Sequence, residues 1–213
     1  MCDKSLLLCG LETHLSSESL SLLARARIGI AGVGGLGSNV VMLLARTGIR
    51  QFVLVDHDQV EASNLNRQCF WPEDVGKLKV RALQERVKSL DPGIVCEAHA
   101  ILLESGSACE IFAGCDIVVE AFDNERAKAE LCSALLPKGF FVVAASGLAG
   151  YGQPPMQVHA MGKSFVCVGD FSAGVSTDAP PLAPRVMQAA ALQADAVITK
   201  ILEPVTRTVR KHS

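Results

Sequence analysis

Gly32, Gly34, Gly35 and Gly37 fall within six residues, between an apolar stretch holding Ile28 and Ile30 and an apolar run from Val40 to Ala45. A strand, a glycine turn and a helix start, in that order, make an anion site. Bare backbone N–H groups point outward there, and the helix dipole adds partial positive charge. Glycine serves such a turn where a Cβ would keep phosphate off the backbone or where φ must be positive. The turn therefore predicts a phosphorylated ligand. Gly32, Gly34 and Gly37 also fit the dinucleotide fingerprint G-x-G-x-x-G, which by itself is a weak match. The next apolar run, Phe52 to Val55, ends at Asp56. An acid at the tip of a second strand is where a ribose hydroxyl is gripped. NAD and ATP both carry that ribose, so the turn and the acid leave the nucleotide open.

The segment after Asp56 is polar and places Asp58, Asn64, Arg67 and Gln68 within eleven positions. Arg67 offers a planar fork for phosphate oxygens and Gln68 an amide donor. Lys77 and Lys79 open the following helix, where a cation opposes the dipole unless an anionic ligand is near. Further on, Asp123 follows the apolar run Ile117-Val-Val-Glu120. It has two readings: N-cap of a helix over 125–136, or a carboxylate holding Mg²⁺ against a triphosphate.

These residues must be carried by alternating strands and helices. Strands are expected around Ile28 and Ile30 and at 52–56, 94–98, 117–120 and 140–145. Helices are expected after Gly37, ending near Gly48, then opening with Gly76-Lys-Leu-Lys79 and running through Leu90 to stop before Pro92, near 106–113 and over 125–136. One further helix, capped by Ser16 or Ser17, precedes the turn. Residues 156–160 and 164–168 alternate like a hairpin. A polar loop over 169–184 leads to a helix from Arg185 to Leu202, ended by Pro204. The pattern predicts a Rossmann-like, doubly wound α/β fold with a mostly parallel sheet and antiparallel C-terminal strands. It divides into an N-terminal helical segment (1–26), one nucleotide-binding domain (27–203) and a tail (204–213).

Composition narrows the function. A chain of 213 residues with 49% hydrophobic content can bury one substantial core. A formal charge of −2 gives no basic footprint for nucleic acid. No apolar run reaches the length of a membrane span, and no leader precedes the first helix, so a cytoplasmic, membrane-free protein is expected. The eight cysteines suit reduced thiols. No C-x-x-C occurs, so zinc is not expected. Cys69 and Cys167 lie near expected loops but read better as buried structural thiols.

Taken together, Gly32-x-Gly-Gly-Leu-Gly-Ser38, Asp56-x-Asp58, Ser63-Asn-Leu-Asn-Arg-Gln68, Gly76-x-x-Lys79 and Asp123-Asn124 resemble the ubiquitin-activating-enzyme-like adenylyltransferases. The likeness covers roughly residues 25–203, and the Ala183-Pro-Arg-Val186 stretch is most similar to the compact, thiamine-type (ThiF-type) activators of sulfur-carrier proteins. The resemblance implies that Asp56 holds the ATP ribose, that Asn64, Arg67 and Lys79 hold phosphates, and that Asp123 holds Mg²⁺. Gly32, Gly34, Gly35 and Gly37, with Asp58 and Gln68, would line the nucleotide. It further implies an eight-stranded sheet, a homodimer, and a small ubiquitin-like sulfur-carrier protein with a Gly-Gly C-terminus as partner.

The implied reaction is attack by that carrier's C-terminal carboxylate on the α-phosphate of ATP, giving an acyl-adenylate and pyrophosphate. The carboxylate is already ionised at neutral pH, so no catalytic base is needed. Departures are the missing zinc cysteines and the missing N-terminal arginine motif that reaches a partner's ATP site. Three rivals stand beside this reading. A nicotinamide oxidoreductase leaves Asn64, Arg67, Lys79 and Asp123 unexplained. An enzyme adenylating a carboxylate on modified tRNA shares the motifs. A non-catalytic nucleotide-binding scaffold would be expected to lack Arg67 or Asp123.

Overall fold

The computed structural model describes residues 5–171 and 179–211, with side chains described as far as Glu203. Seven strands form one sheet: β1 (Arg27–Ala31), β2 (Gln51–Val55), β3 (Val95–His99), β4 (Ile117–Glu120), β5 (Phe141–Ala145), β6 (Gln157–Met161) and β7 (Phe165–Gly169). Their order is β3-β2-β1-β4-β5-β7-β6, all parallel except β6, which runs antiparallel to β7. The helices are α1 (Leu6–Leu11), α2 (Ser17–Arg25), α3 (Gly35–Thr47), α4 (Lys79–Leu90), α5 (Ser105–Ile111), α6 (Glu125–Leu135) and α7 (Ala183–Lys211).

Each strand sends alternate side chains to opposite faces. Ile28 and Ile30 of β1 join the larger core, with Val40, Leu44, Leu83, Ala190 and Val197 from α3, α4 and α7. Ala31 faces the smaller core, where Phe112 and the α6 residues Leu131 and Leu135 cover the sheet. Helices therefore clothe both faces. Strand order reverses between β1 and β4, and the register pairs Ala31 with both Val55 and Glu120. The carboxyl ends of β1, β2 and β4 thus finish level, which places the loops after them around one crevice. Ligands of open α/β sheets bind at such a reversal point.

Most expected elements form, and the hairpin is present as β6 and β7. Four expectations are corrected. The N-terminal segment carries two helices, not one: Ser5 caps α1 and Ser16 caps α2. The sheet has seven strands among the described residues, not eight. Asn124, not Asp123, caps α6, its side chain accepting from the Ala127 N–H at 3.0 Å. Finally, α7 does not stop at Pro204 but continues to Lys211. A proline removes one helical donor and crowds the preceding turn, which usually breaks a helix; here α7 runs through it. Residues 172–178 of the polar loop, and the tail side chains Arg207, Arg210 and Lys211, lie outside the described residues.

Candidate functional site

The glycine turn forms the floor of the crevice. Gly32 has φ +89°, a conformation that favours glycine, and a Cβ there would meet Ala121 O at 3.0 Å and the Phe122 ring at 3.1 Å. Gly37 lies so close beneath the turn that a Cβ would collide with the Gly32 carbonyl. Gly34 is different: its nearest neighbour across the space a Cβ would take is Gln68 Nε2, at 3.7 Å. Gly34 is also the N-cap of α3, where no side chain caps the helix and no acid stands in the first turn. The first amides of α3 therefore face the crevice without a protein acceptor of the usual kind.

Asp56 closes the turn from the side. Its Oδ2 accepts from the Val33 N–H and its Oδ1 from the Asp58 N–H, each at 2.8 Å. The carboxylate thereby stitches the tip of β2 to the glycine turn, and its remaining lone pairs are available to a ribose hydroxyl. Asn64 is buried in a short 3₁₀ turn (Ala62–Asn64), where its Oδ1 accepts from Glu61 N–H at 3.1 Å. Arg67 leaves that turn half-buried, with Nη1 donating to Ser63 O at 3.1 Å and Asn66 Oδ1 at 2.7 Å. Its aliphatic stem lies 3.7 Å from the space above Gly35. Gln68 Oε1 is buried with no hydrogen-bond partner. An orphan acceptor costs free energy until a donor such as a ligand hydroxyl or amino group reaches it; the Nε2 of the same side chain is the atom nearest Gly34.

Lys79 begins α4, almost wholly buried, and its Nζ donates to Asp58 Oδ2 at 2.7 Å. Burial would raise the Asp58 carboxyl, but the Lys79 hydrogen bond and charge, with His57 behind them, outweigh it and hold the carboxyl below its usual value. Lys77 is not free for a ligand as the sequence suggested: it bridges Asp74 at 3.2 Å and Glu85 at 3.1 Å. Both lysines begin this segment beside acids, which offsets their unfavourable place near a helix N-terminus.

Asp123 stands on the loop after β4, exposed and without a hydrogen bond or ion pair among the described residues. A hard divalent cation takes oxygen ligands, so this carboxylate together with phosphate oxygens fits Mg²⁺. The cluster Asp56, His57 and Asp58 also brings its ligand atoms within 4.8 Å of one another. It fits less well, since each Asp56 oxygen already accepts from one amide and Lys79 neutralises the Asp58 charge. Burial foremost pushes the Cys69 and Cys167 thiols up, which opposes thiolate formation at either.

Two residues to which sequence reasoning gave no role, Ser38 at the end of the glycine motif and Asn39 after it, hold the two halves of the site together. Ser38 Oγ donates to Gly34 O at 2.6 Å and accepts from Cys69 N–H at 3.0 Å. Asn39 Nδ2 donates to Gly35 O at 2.7 Å and Arg67 O at 2.9 Å. Both sit one turn inside α3, and a polar pair opening an otherwise apolar helix was the available signal.

The sequence matches the ThiF family over residues 11–212. A sulfur carrier protein adenylyltransferase of Thermus thermophilus is 40% identical over 112 residues, 52% of this chain and 41% of that protein. A tRNA threonylcarbamoyladenosine dehydratase of Haemophilus influenzae is 33% identical over 149 residues, 68% of this chain and 56% of that one. This chain thus spans between about two fifths and somewhat over half of these relatives. In structure it is similar to the E. coli tRNA N6-threonylcarbamoyladenosine dehydratase in complex with ATP, with TM-score 0.84 at 23% identity, covering 93% of this chain and 95% of that one.

Proposed function

The chain belongs to the ThiF family, and from that premise we propose that it is an adenylyltransferase which binds Mg-ATP at the glycine turn and activates a C-terminal carboxylate. The substrate proposed is a small ubiquitin-like sulfur-carrier protein ending in Gly-Gly, by analogy with the 40% identical relative named for that activity. One observation carries the reading. The uncapped start of α3 faces Gln68 and Arg67, with Asp56 at its side and no activated thiol in the crevice. Donors that stabilise phosphate are abundant, while among the described residues Cys69 and Cys167 are not activated as nucleophiles.

In this reading Asp56 holds the ribose, and the turn from Gly32 to Gly37, with Asp58, Asn64 and Gln68, lines the nucleotide. Arg67 and Lys79 neutralise charge on the phosphates. A carrier carboxylate oxygen forms a bond to the α-phosphorus as the bond from that phosphorus to the β-phosphate oxygen breaks. The electron pair leaves with pyrophosphate, and no proton need move. Mg²⁺, held by Asp123, would neutralise the leaving pyrophosphate. Catalysis is then positioning and charge stabilisation, where removing one donor costs on the order of 10²–10³ in rate. The protein is further proposed to be a cytoplasmic homodimer without zinc, nucleic acid or membrane partners. Among the described residues no helix is long and apolar enough to cross a membrane.

A second reading is adenylation of a carboxylate on modified tRNA, favoured by the 33% identical relative named as a tRNA dehydratase. The formal charge of −2 speaks against it, because tRNA binding draws mainly on a basic surface. ATP–pyrophosphate exchange, run with Gly-Gly-ended carriers and with modified tRNA, separates the two. Exchange dependent on a carrier is the expected result; dependence on tRNA alone selects the second reading. Calorimetry showing micromolar NAD binding and no Mg-ATP binding overturns both.

A further inference from the structure

Asp123 is placed by the backbone that precedes it, and that backbone is held by charges buried behind the crevice. Hydrogen bonding between β4 and β5 ends with Val119 opposite Val143, and beyond that pair the strands part. Parting strands free carbonyls that need donors. Gln193 of α7, fully buried, supplies two, its Nε2 reaching Glu120 O at 2.9 Å and Val143 O at 3.3 Å. Lys128 of α6 supplies a third, donating to Ala145 O at 3.0 Å.

The same ammonium meets Glu120, whose side chain is wholly buried, at 3.1 and 3.2 Å. Glu120 Oε1 in turn accepts from the Phe122 N–H at 2.7 Å. A single carboxylate therefore ties the loop leading to Asp123 back on itself and, through Lys128, to the end of β5. This loop is also the wall of the glycine turn, since Ala121 and Phe122 fill the space beside Gly32. Stability alone does not call for charge here, because a buried ion pair rarely outperforms apolar side chains of equal volume. What apolar side chains cannot do is fix a backbone amide in one place.

We propose that Glu120 and Lys128 are positioning residues which set the Ala121–Asp123 loop for metal binding and hold it against the glycine turn. Neither touches the nucleotide in this scheme. The proposal rests on the adenylylation reading only for the role given to Asp123; the clamp itself is a statement about the loop.

The test uses the full chain and four variants: Lys128→Met, Lys128→Arg, Glu120→Gln, and the Glu120→Gln/Lys128→Met pair. Hydrogen exchange at the Phe122 amide is measured without ligand, and kcat and KM for Mg-ATP are measured by pyrophosphate exchange. Lys128→Met is expected to speed amide exchange at least tenfold and to lower kcat at least tenfold, with KM changed less than threefold. Glu120→Gln leaves the Phe122 amide only a neutral, weaker acceptor and leaves Lys128 without its carboxylate partner, so its amide exchange should also be faster than wild type. Lys128→Arg should restore both readouts. If Lys128→Met cannot fold around an uncompensated Glu120, the double variant removes that charge and should show the same losses. Wild-type amide protection in either Lys128→Met background overturns the clamp. A wild-type protein without exchange activity overturns the adenylylation reading instead, while amide protection still decides the clamp.

Discussion

Gly34 and Gly37 are indistinguishable as letters, yet only Gly37 is required as glycine by the packing of the protein itself, and Gly34 is proposed to be glycine for a ligand. A Cβ at Gly37 strikes the Gly32 carbonyl, whereas one at Gly34 meets nothing nearer than 3.7 Å. Gly37→Ala should therefore cost about 1–3 kcal/mol in a urea melt through overpacking. Gly34→Ala should shift stability by less than about 0.5 kcal/mol yet weaken Mg-ATP about tenfold in calorimetry, near 1.4 kcal/mol. Equal losses of stability in both would remove the case for a ligand at Gly34. Asp58 makes a prediction in pH. Its folded carboxyl lies below the ordinary 3.8 because Lys79 and His57 outweigh burial. Its stabilising share is thus fully present above that value and fades as pH falls through the lower folded one. The urea midpoint of Asp58→Asn should fall short of wild type at pH 6, and the gap should close toward pH 3. A gap that widens in acid would show the pair is not what holds the carboxyl.

At the scale of elements, the start of α6 separates two neighbours that the sequence could not. Asn124 caps the helix and Asp123 stands exposed beside it. Asn124→Ala should lower stability by about 1 kcal/mol, the usual cost of a lost N-cap. Asp123→Ala should leave the melting temperature unchanged and abolish Mg-dependent pyrophosphate exchange. Full exchange in that variant would move the metal elsewhere, with the Asp56 and Asp58 cluster next in line. The strands and the hairpin were legible because period-two alternation and short apolar runs are local properties. The end of α7 was not, because one proline is a local penalty that a long packed helix can outweigh.

At the scale of the whole molecule, thiols lie in both cores, Cys96 in the larger and Cys115 and Cys132 packed against the smaller. Burial foremost pushes the Cys96 thiol up to about 12 and those of Cys115 and Cys132 to about 11, so all three stay protonated at neutral pH. No disulfide joins the described cysteines, and Cys69 and Cys167 are raised as well. Replacing both Cys69 and Cys167 by alanine should leave pyrophosphate exchange within a few-fold of wild type. Collapse of exchange in a folded variant would bring a thiol into the first step and end the positioning-only mechanism. The proposed homodimer is checked by sedimentation, where a mass near twice 22.5 kDa is expected and a single copy refutes it.

The chain alone determined the class of fold, the glycine turn, and the identity of the charged groups around it. Those are set by side-chain periodicity and by residue types whose chemistry does not depend on neighbours. It could not determine which charges were already spoken for. Lys77 and Lys79 looked equally available until folding set the first between Asp74 and Glu85 and the second against Asp58. Nor could it show that Glu120, one acid closing an apolar strand, meets Lys128 and the Phe122 amide behind the crevice. Gln193 lies 73 positions from Glu120 and reaches its carbonyl only because α7 packs across the parted strands. Partner choice for a buried polar group is decided by which donors the packed helices bring within 3 Å or so. That is a property of the folded chain, since only there does desolvation make an unpaired group costly.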